Sequence, residues 1–489
     1  MKKETGRLKE SLDDRVAEIL FGDSVDSDIE NHLKYSVQVD KAHIIMLMEQ
    51  EIISKENGIK LLEEILSLEE SKFKALRGKK APSGWYLLYE EELIKKLGSK
   101  VGGSLHTGRS RNDLYATIFR LKLRAPFFET VRLALDLRST LLDLSKKHKD
   151  TLIPIHTQMQ PAYPSTFGHY LLAIDKALGR DIEHLIHAFG EVERCPLGAG
   201  AVSGTSFPIG PERTAELLGF LGAKNNSIDS VACYNYNLQL LSALSIIGVT
   251  VSRLMTDLQL WTTKEYDYFK LPDRLKEISS MMPQKDNPFI LEDIKGKAVS
   301  NLGYLTSAIA IMQKIPFTNA IEVKKHASPQ IWDSMKRMNE VLELTIIIIK
   351  GLTPNKNIMV KHKLYEFMAA TAFAEFLVRK KEYSFREAHE TVGEIINEAI
   401  SSEKTFKEII KKRLGDILDK NELEETLNFS NIVKIMAYGG GPGGDSFTTS
   451  YKASKKNQAD QVDFIKDKET RWRFSEKKLS KLVTKYIEG

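Results

Sequence analysis

The chain has 489 residues, with 71 Lys and Arg against 66 Asp and Glu for a net charge of +5, and is 42% hydrophobic and 28% charged. That is ordinary globular composition, which excludes long disorder. With no Arg/Lys stripe interleaved with aromatics, nothing in it asks for a nucleic-acid partner. Cys195 and Cys233 are the only cysteines, too few for a disulfide framework and without metal-ligand spacing, so the reading is a reducing cytoplasm and no metal or other cofactor.

The N-terminal stretch MKKETGRLKESLDDR has no apolar core after its charges, so no export signal is predicted. HTGRSRND (His106 to Asp113) follows as a polar loop. From Asp113 to His148 the pattern predicts one very long helix, with Leu133, Leu137, Leu141 and Leu144 on one face and Pro126 as a kink site. Next comes the Pro-bounded polar segment from Ile153 to Pro164. Ile174, Leu178, Ile182, Leu185 and Phe189 then form an apolar stripe. Leu240, Leu244, Ile247, Val251, Leu254, Leu258 and Trp261 step by +4 and +3, a coiled-coil-like seam of about three heptads. The uncharged run containing it is broken by Asn and Gln, so a buried bundle helix is expected rather than a membrane span. Two further stripes, from Ile290 to Met312 and from Ile331 to Ile346, are also read as core.

Convincing strands are nearly absent, so the predicted class is all-α. The boundaries fall near 112 and 362: an N-terminal helical domain (1–112), a central long-helix bundle (113–362) and a C-terminal helical domain (363–489). The last carries a basic tail (Lys452, Lys455, Lys456, Lys477, Lys478, Lys481), read as a solvated face. Helices this long cannot satisfy both faces within one small domain, which points to copies of the chain packing together.

In such a protein the chemistry lies in the connections. HTGRSRND sets two guanidiniums, three neutral hydrogen-bonding side chains and an imidazole where a long helix begins. It reads either as a carboxylate grip or as a plain cap closed by Ser110 or Asn112. His156, beside TQMQ (Thr157 to Gln160), reads either as a general acid or as a loop histidine. GAGAVSG (Gly198 to Gly204) has no preceding strand and is not a dinucleotide loop. GGGPGG (Gly439 to Gly444) lacks a following Lys-Ser/Thr and is read as a turn. SSMMPQKDNP (Ser279 to Pro288) is a basic, hydroxyl-rich loop aimed at the start of a helix.

Taken together, these loops resemble argininosuccinate lyase and, more broadly, the fumarase/aspartase superfamily. HTGRSRND resembles the first family signature, Thr157 to His169 the second, and SSMMPQKDNP the superfamily fingerprint. PLGAGAVSGTSFP (Pro196 to Pro208), NSIDSV (Asn226 to Val231) and FREAHE (Phe385 to Glu390) also follow that family, and the likeness runs from about residue 35 to 445. It implies a β-elimination that releases fumarate from a small succinyl adduct, in a fumarase/aspartase-like homotetramer whose sites are shared among three chains. No metal, cofactor, nucleic acid or membrane is implied.

By that resemblance Ser279 is the base, a role that requires positive charge and N–H groups around its alkoxide. Lys285 and Asn287, with Gln284, bind the substrate carboxylate; Ser110, Arg111, Asn112 and Thr157 supply the other contacts; Glu292 partners the acid. Gln158 stands where the family has its acidic histidine, and Gln cannot give up a proton at useful pH. Either the leaving group needs little protonation, or His156 or His106 serves, or the site is silent. SGWY (Ser83 to Tyr86), CYN (Cys233 to Asn235) and NAIEVK (Asn319 to Lys324) replace segments that shape the arginine side. The expectation is therefore a carbon-nitrogen lyase for a different N-substituted aspartate. The alternatives are a genuine argininosuccinate lyase with a relocated acid and a silent structural homologue.

Overall fold

The computed structural model describes residues 12–489; the first eleven residues of the N-terminal stretch read above for an export signal lie outside them. The chain is dominated by helices, seven of which organise the site: α1 (Lys34–Glu49), α2 (Arg111–Lys147), α3 (Phe167–Ala188), α4 (Asn235–Trp261), α5 (Phe289–Met312), α6 (Gln330–Gly351) and α7 (Gly444–Glu488). Helix α2 runs unbroken through Pro126. It packs on α3 and α6, while α4 packs on α3, α5 and α6, closing a bundle.

The predicted seam of α4 is wholly buried, from Leu240 through Trp261, and the stripes of α3 and α6 join it in one core. At Gly248 an added Cβ would sit 2.7 Å from the Ala298 carbonyl oxygen, so glycine permits the close crossing of α4 and α5. The α5 stripe differs from expectation. Ile294 and Ala298 are buried, but Leu302 and Ile309 face outward in the single chain, as do Ile246 and Val249 of α4. α5 packs on both α4 and α6, and these outward residues lie on the part of its surface that neither covers.

Helix α7 carries the basic tail. Lys452, Lys455, Lys456, Lys477 and Lys481 are exposed and Lys478 is ion-paired with Glu216, yet Ile465 and Trp472 enter the bundle core, and Leu479 and Val483 enter a second core built around α1, Tyr86, Tyr89 and the start of α2. Trp472 meets Phe128 edge-on at 4.6 Å. A third cluster, including Phe373, Leu377, Ile395, Phe406 and Leu423, forms the core of the segment from Ala370 to Leu427.

Among the described residues the strands are short and occur in four two-stranded ribbons. β1 (Leu152–Thr157) and β2 (Gln160–Thr166) form a hairpin inside the Pro-bounded segment. β3 (Arg194–Cys195) pairs with β4 (Gly222–Ala223), and β5 (Phe269–Lys270) with β8 (Thr353–Pro354). β6 (Glu277–Ile278) and β7 (Asp286–Asn287) form a hairpin within the region of the fingerprint loop.

Candidate active site

At the start of α2, Ser110 is the N-cap: its hydroxyl accepts from the Asn112 N–H at 3.3 Å, and the Asp113 carboxylate accepts from the Ser110 N–H at 2.9 Å, a capping box. The other Asp113 oxygen accepts from the N–H groups of Gly198 (3.0 Å) and Gly200 (2.9 Å). Those glycines have φ of +104° and +61°, a backbone that L side chains rarely adopt. The glycine run is thus a latch on Asp113, whose carboxyl is raised by burial against the opposing pull of these N–H groups.

The two arginines of the loop part ways. Arg109 is buried, its guanidinium 2.6 Å from the Asp40 carboxylate and donating to the Tyr86 hydroxyl at 2.8 Å. Arg111 is exposed and donates to the Ser83 carbonyl at 3.2 Å. Asn112 lies between loops: its Nδ2 donates to the Ala201 carbonyl at 3.2 Å, and its Oδ1 accepts from Asn319 Nδ2 at 2.8 Å and faces Lys324 Nζ at 3.4 Å. His106 Nδ1 meets the Tyr86 hydroxyl at 3.1 Å; burial, with Arg109 and Arg111 nearby, brings its pKa down to about 4.

The second cluster is the β1–β2 hairpin. Thr157 pairs with Gln160, leaving Gln158 and Met159 as a two-residue turn at φ of +48° and +60°. Both positions suit a primed hairpin turn and cost a side-chain-bearing residue about 1 kcal/mol or more each. The turn holds Gln158 out at an exposed tip beside Thr157. His156, immediately before Thr157 and just after a register shift at Ile155, faces inward: its Nε2 lies 3.2 Å from the Tyr268 hydroxyl, which lies 2.9 Å from that of Tyr365. Burial lowers the His156 pKa, opposed by Asp257.

The third cluster is the β6–β7 hairpin. Ser279 Oγ accepts from the N–H groups of Met282 (3.0 Å) and Met281 (3.4 Å), while the Ser279 N–H donates to the Lys285 carbonyl at 3.4 Å. Gln284 and Lys285 are exposed, and Asn287 is half-buried in β7. Lys276 braces the hairpin through Asp286 at 3.1 Å. Glu292, on the first turn of α5, accepts from Gln259 Nε2 at 2.8 Å.

The structure therefore joins Ser110, Arg111 and Asn112 in one cluster, His156, Thr157 and Gln158 in a second, and Ser279, Gln284, Lys285, Asn287 and Glu292 in a third. Among the described residues no hydrogen bond or ion pair links one cluster to another within the chain, and no group of three His, Cys, Asp or Glu side chains is arranged to hold a metal. Sequence reasoning named Asn319 and Lys324 only as departures from a pattern, yet both meet Asn112 Oδ1. No local signal marks this, because the partners lie 207 and 212 positions apart.

A bundle of long helices with polar loops at its hairpins and helix starts is the arrangement that the loop resemblance implies, and comparison with known proteins identifies the class as a lyase of the fumarase/aspartase kind. A family model described as lyase matches residues 56–303, and one described as argininosuccinate lyase C-terminal matches 367–434. The chain is 33% identical to argininosuccinate lyase 1 of Shouchella clausii, over 89% of this chain and 90% of that one. It is 34% identical to argininosuccinate lyase of Methanocaldococcus jannaschii, with the same two coverages. Among solved structures, EDDS lyase in complex with formate superposes with a TM-score of 0.82 at 26% identity, covering 93% of this chain and 92% of that one. A double variant of EDDS lyase with bound fumarate gives 0.82 at 25% identity, covering 98% and 97%. The class II fumarase of Schistosoma mansoni, at 14% identity and a TM-score of 0.68 over 86% and 94%, shares the fold.

The chain belongs to the argininosuccinate lyase-like branch of the fumarase/aspartase superfamily. It is a carbon-nitrogen lyase that releases fumarate.

Proposed function

We propose that the protein eliminates an amine from an N-substituted aspartate other than argininosuccinate, as a homotetramer whose active sites combine the three clusters from three chains. The observation that carries the reading is Ser279, whose hydroxyl oxygen already sits on two backbone N–H groups in a loop that also carries Lys285. Those donors favour an alkoxide, and so a serine able to take the C–H proton beside a carboxylate. Arg111 and Asn112 supply cationic and amide donors for the second carboxylate of the four-carbon product. Gln158 at the hairpin tip orients by hydrogen bonds and transfers no proton. The departing nitrogen then leaves as an amine that needs little help, or takes its proton from water.

Shared sites are supported by what the single chain leaves uncovered. Met281 is 88% and Ile278 79% exposed on the fingerprint hairpin, and Ile246 and Val249 of α4 and Leu302 and Ile309 of α5 are exposed apolar residues on the bundle. Apolar surface of this kind is ordinarily covered by a neighbour. Light scattering on the purified protein is expected to give four times the chain mass; a monomer would end the shared-site account.

Following the ultraviolet absorbance of fumarate with a panel of N-substituted aspartates, argininosuccinate included, tests the reaction. Turnover is expected with non-arginine members. Preferred turnover of argininosuccinate with arginine release would instead establish the activity named for the relatives at 33–34% identity. A folded tetramer inert toward every member and unable to bind fumarate would establish a silent homologue.

A further inference from the structure

Glu193 closes the short turn that follows α3, and its carboxylate is buried. A charge in that position needs cations, and both come from the C-terminal helix: Lys468 and Arg471 of α7 each pair with it. They stand three residues apart, so they share one face of α7. From Glu193 the chain leads with little slack to the start of α2. β3 is paired with β4, Cys195 and Leu197 are buried, and Gly198 and Gly200 then donate to Asp113 at 3.0 and 2.9 Å. The next carbonyl, that of Ala201, accepts from Asn112 Nδ2 at 3.2 Å.

The far end of the same segment is held by the same helix. Arg124 of α2 faces the rings of both Phe220 and Trp472, its guanidinium carbon 4.3 and 4.5 Å from their centroids, and its Nη1 donates to the Leu218 carbonyl at 2.8 Å. At Gly219, where φ is +72°, an added Cβ would lie 3.0 Å from Ser475, so α7 rests against bare backbone there. Lys478 pairs with Glu216. Residues 193–219 are thus pinned at both ends by α7, and between the pins lies the glycine latch that meets Asn112 and Asp113.

We propose that Lys468 and Arg471 are positioning residues for the elimination: by holding Glu193 they set the latch, and through it the Asn112 amide and the Asp113 cap that aim the donors at the start of α2. This rests on the carboxylate-binding role of Arg111 and Asn112 proposed above and adds the C-terminal helix to that site. No bond of the reaction is made or broken by α7.

The experiment uses the full chain with Lys468→Met and Arg471→Met together, beside an exchanged pair, Lys468→Arg with Arg471→Lys, that keeps two cations on the same face. On the N-substituted aspartate that the wild type turns over, the double Met variant is expected to raise KM about tenfold with a much smaller change in kcat, the pattern of lost ground-state and transition-state binding alike. The exchanged pair should keep the wild-type KM. Hydrogen exchange of peptides spanning 196–204 should be faster in the double Met variant, while peptides from 370–427 exchange as before. The proposal is overturned if either KM or the 196–204 exchange stays at the wild-type value in the double Met variant, if the exchanged pair is equally impaired, or if the faster exchange extends to 370–427. Should the double Met variant not fold, Arg471→Met alone, with Lys468 still facing Glu193, is read by the same measures. If no N-substituted aspartate is turned over, the elimination itself is misread, and the 196–204 peptides decide the coupling: faster exchange in the variant upholds it, and unchanged exchange refutes it.

Discussion

Ser279→Ala is expected to lower the rate of fumarate release by about a thousandfold or more, the scale seen when a catalytic group acting only in the transition state is removed. The thermal unfolding curve and the affinity for fumarate should stay close to those of the unaltered protein. The reason is local: Ser279 Oγ is bonded only to the N–H groups of Met281 and Met282 at the tip of a short hairpin, and its loop neighbours are exposed. Removing it frees two amides that water can satisfy, so little stability is at stake. A variant with unchanged kinetics would mean that the base is elsewhere, and a variant that fails to fold would mean that the hairpin is structural.

The largest expected effect on stability lies far from these loops. Arg138 is buried on α2; its Nε and Nη2 donate to the two Asp175 oxygens at 2.8 and 3.1 Å, and its Nη1 reaches Asn457 (2.9 Å) and Gln461 (2.7 Å) on α7. Both charged side chains are almost wholly removed from solvent. Asp175→Ala strands the guanidinium and is expected to cost about 3–5 kcal/mol, seen as a lower urea midpoint. The double variant Asp175→Ala with Arg138→Met should recover much of that loss, since no buried charge then lacks a partner. If the double variant were as unstable as the single one, packing rather than charge would account for the site.

How much of this was legible depended on whether the signal was local. The long helix expected over Asp113 to His148 is α2, Arg111–Lys147, because a glycine-free run with a regular apolar face and a Ser-x-x-Asp start leaves the backbone little choice. The seam on α4 was equally plain. The hairpin β1–β2 was not: Pro154, Pro161 and Pro164 read as loop, yet in a two-stranded ribbon each strand has an unpaired edge that tolerates residues without an N–H. The α5 stripe was read as core, and Leu302 and Ile309 are exposed in one chain, because periodicity reports that a face is apolar and not which neighbour covers it. The meeting of Asn112 with Asn319 and Lys324 depends on tertiary packing alone.

Because α7 supplies Trp472 to one core and Leu479 and Val483 to another, neither is complete until the ribosome has translated past every element they contain. A nascent chain stalled before residue 472 would carry a bundle and an N-terminal core with open seams. Such intermediates are sticky, so recovery of native enzyme is expected to follow chaperone supply during synthesis.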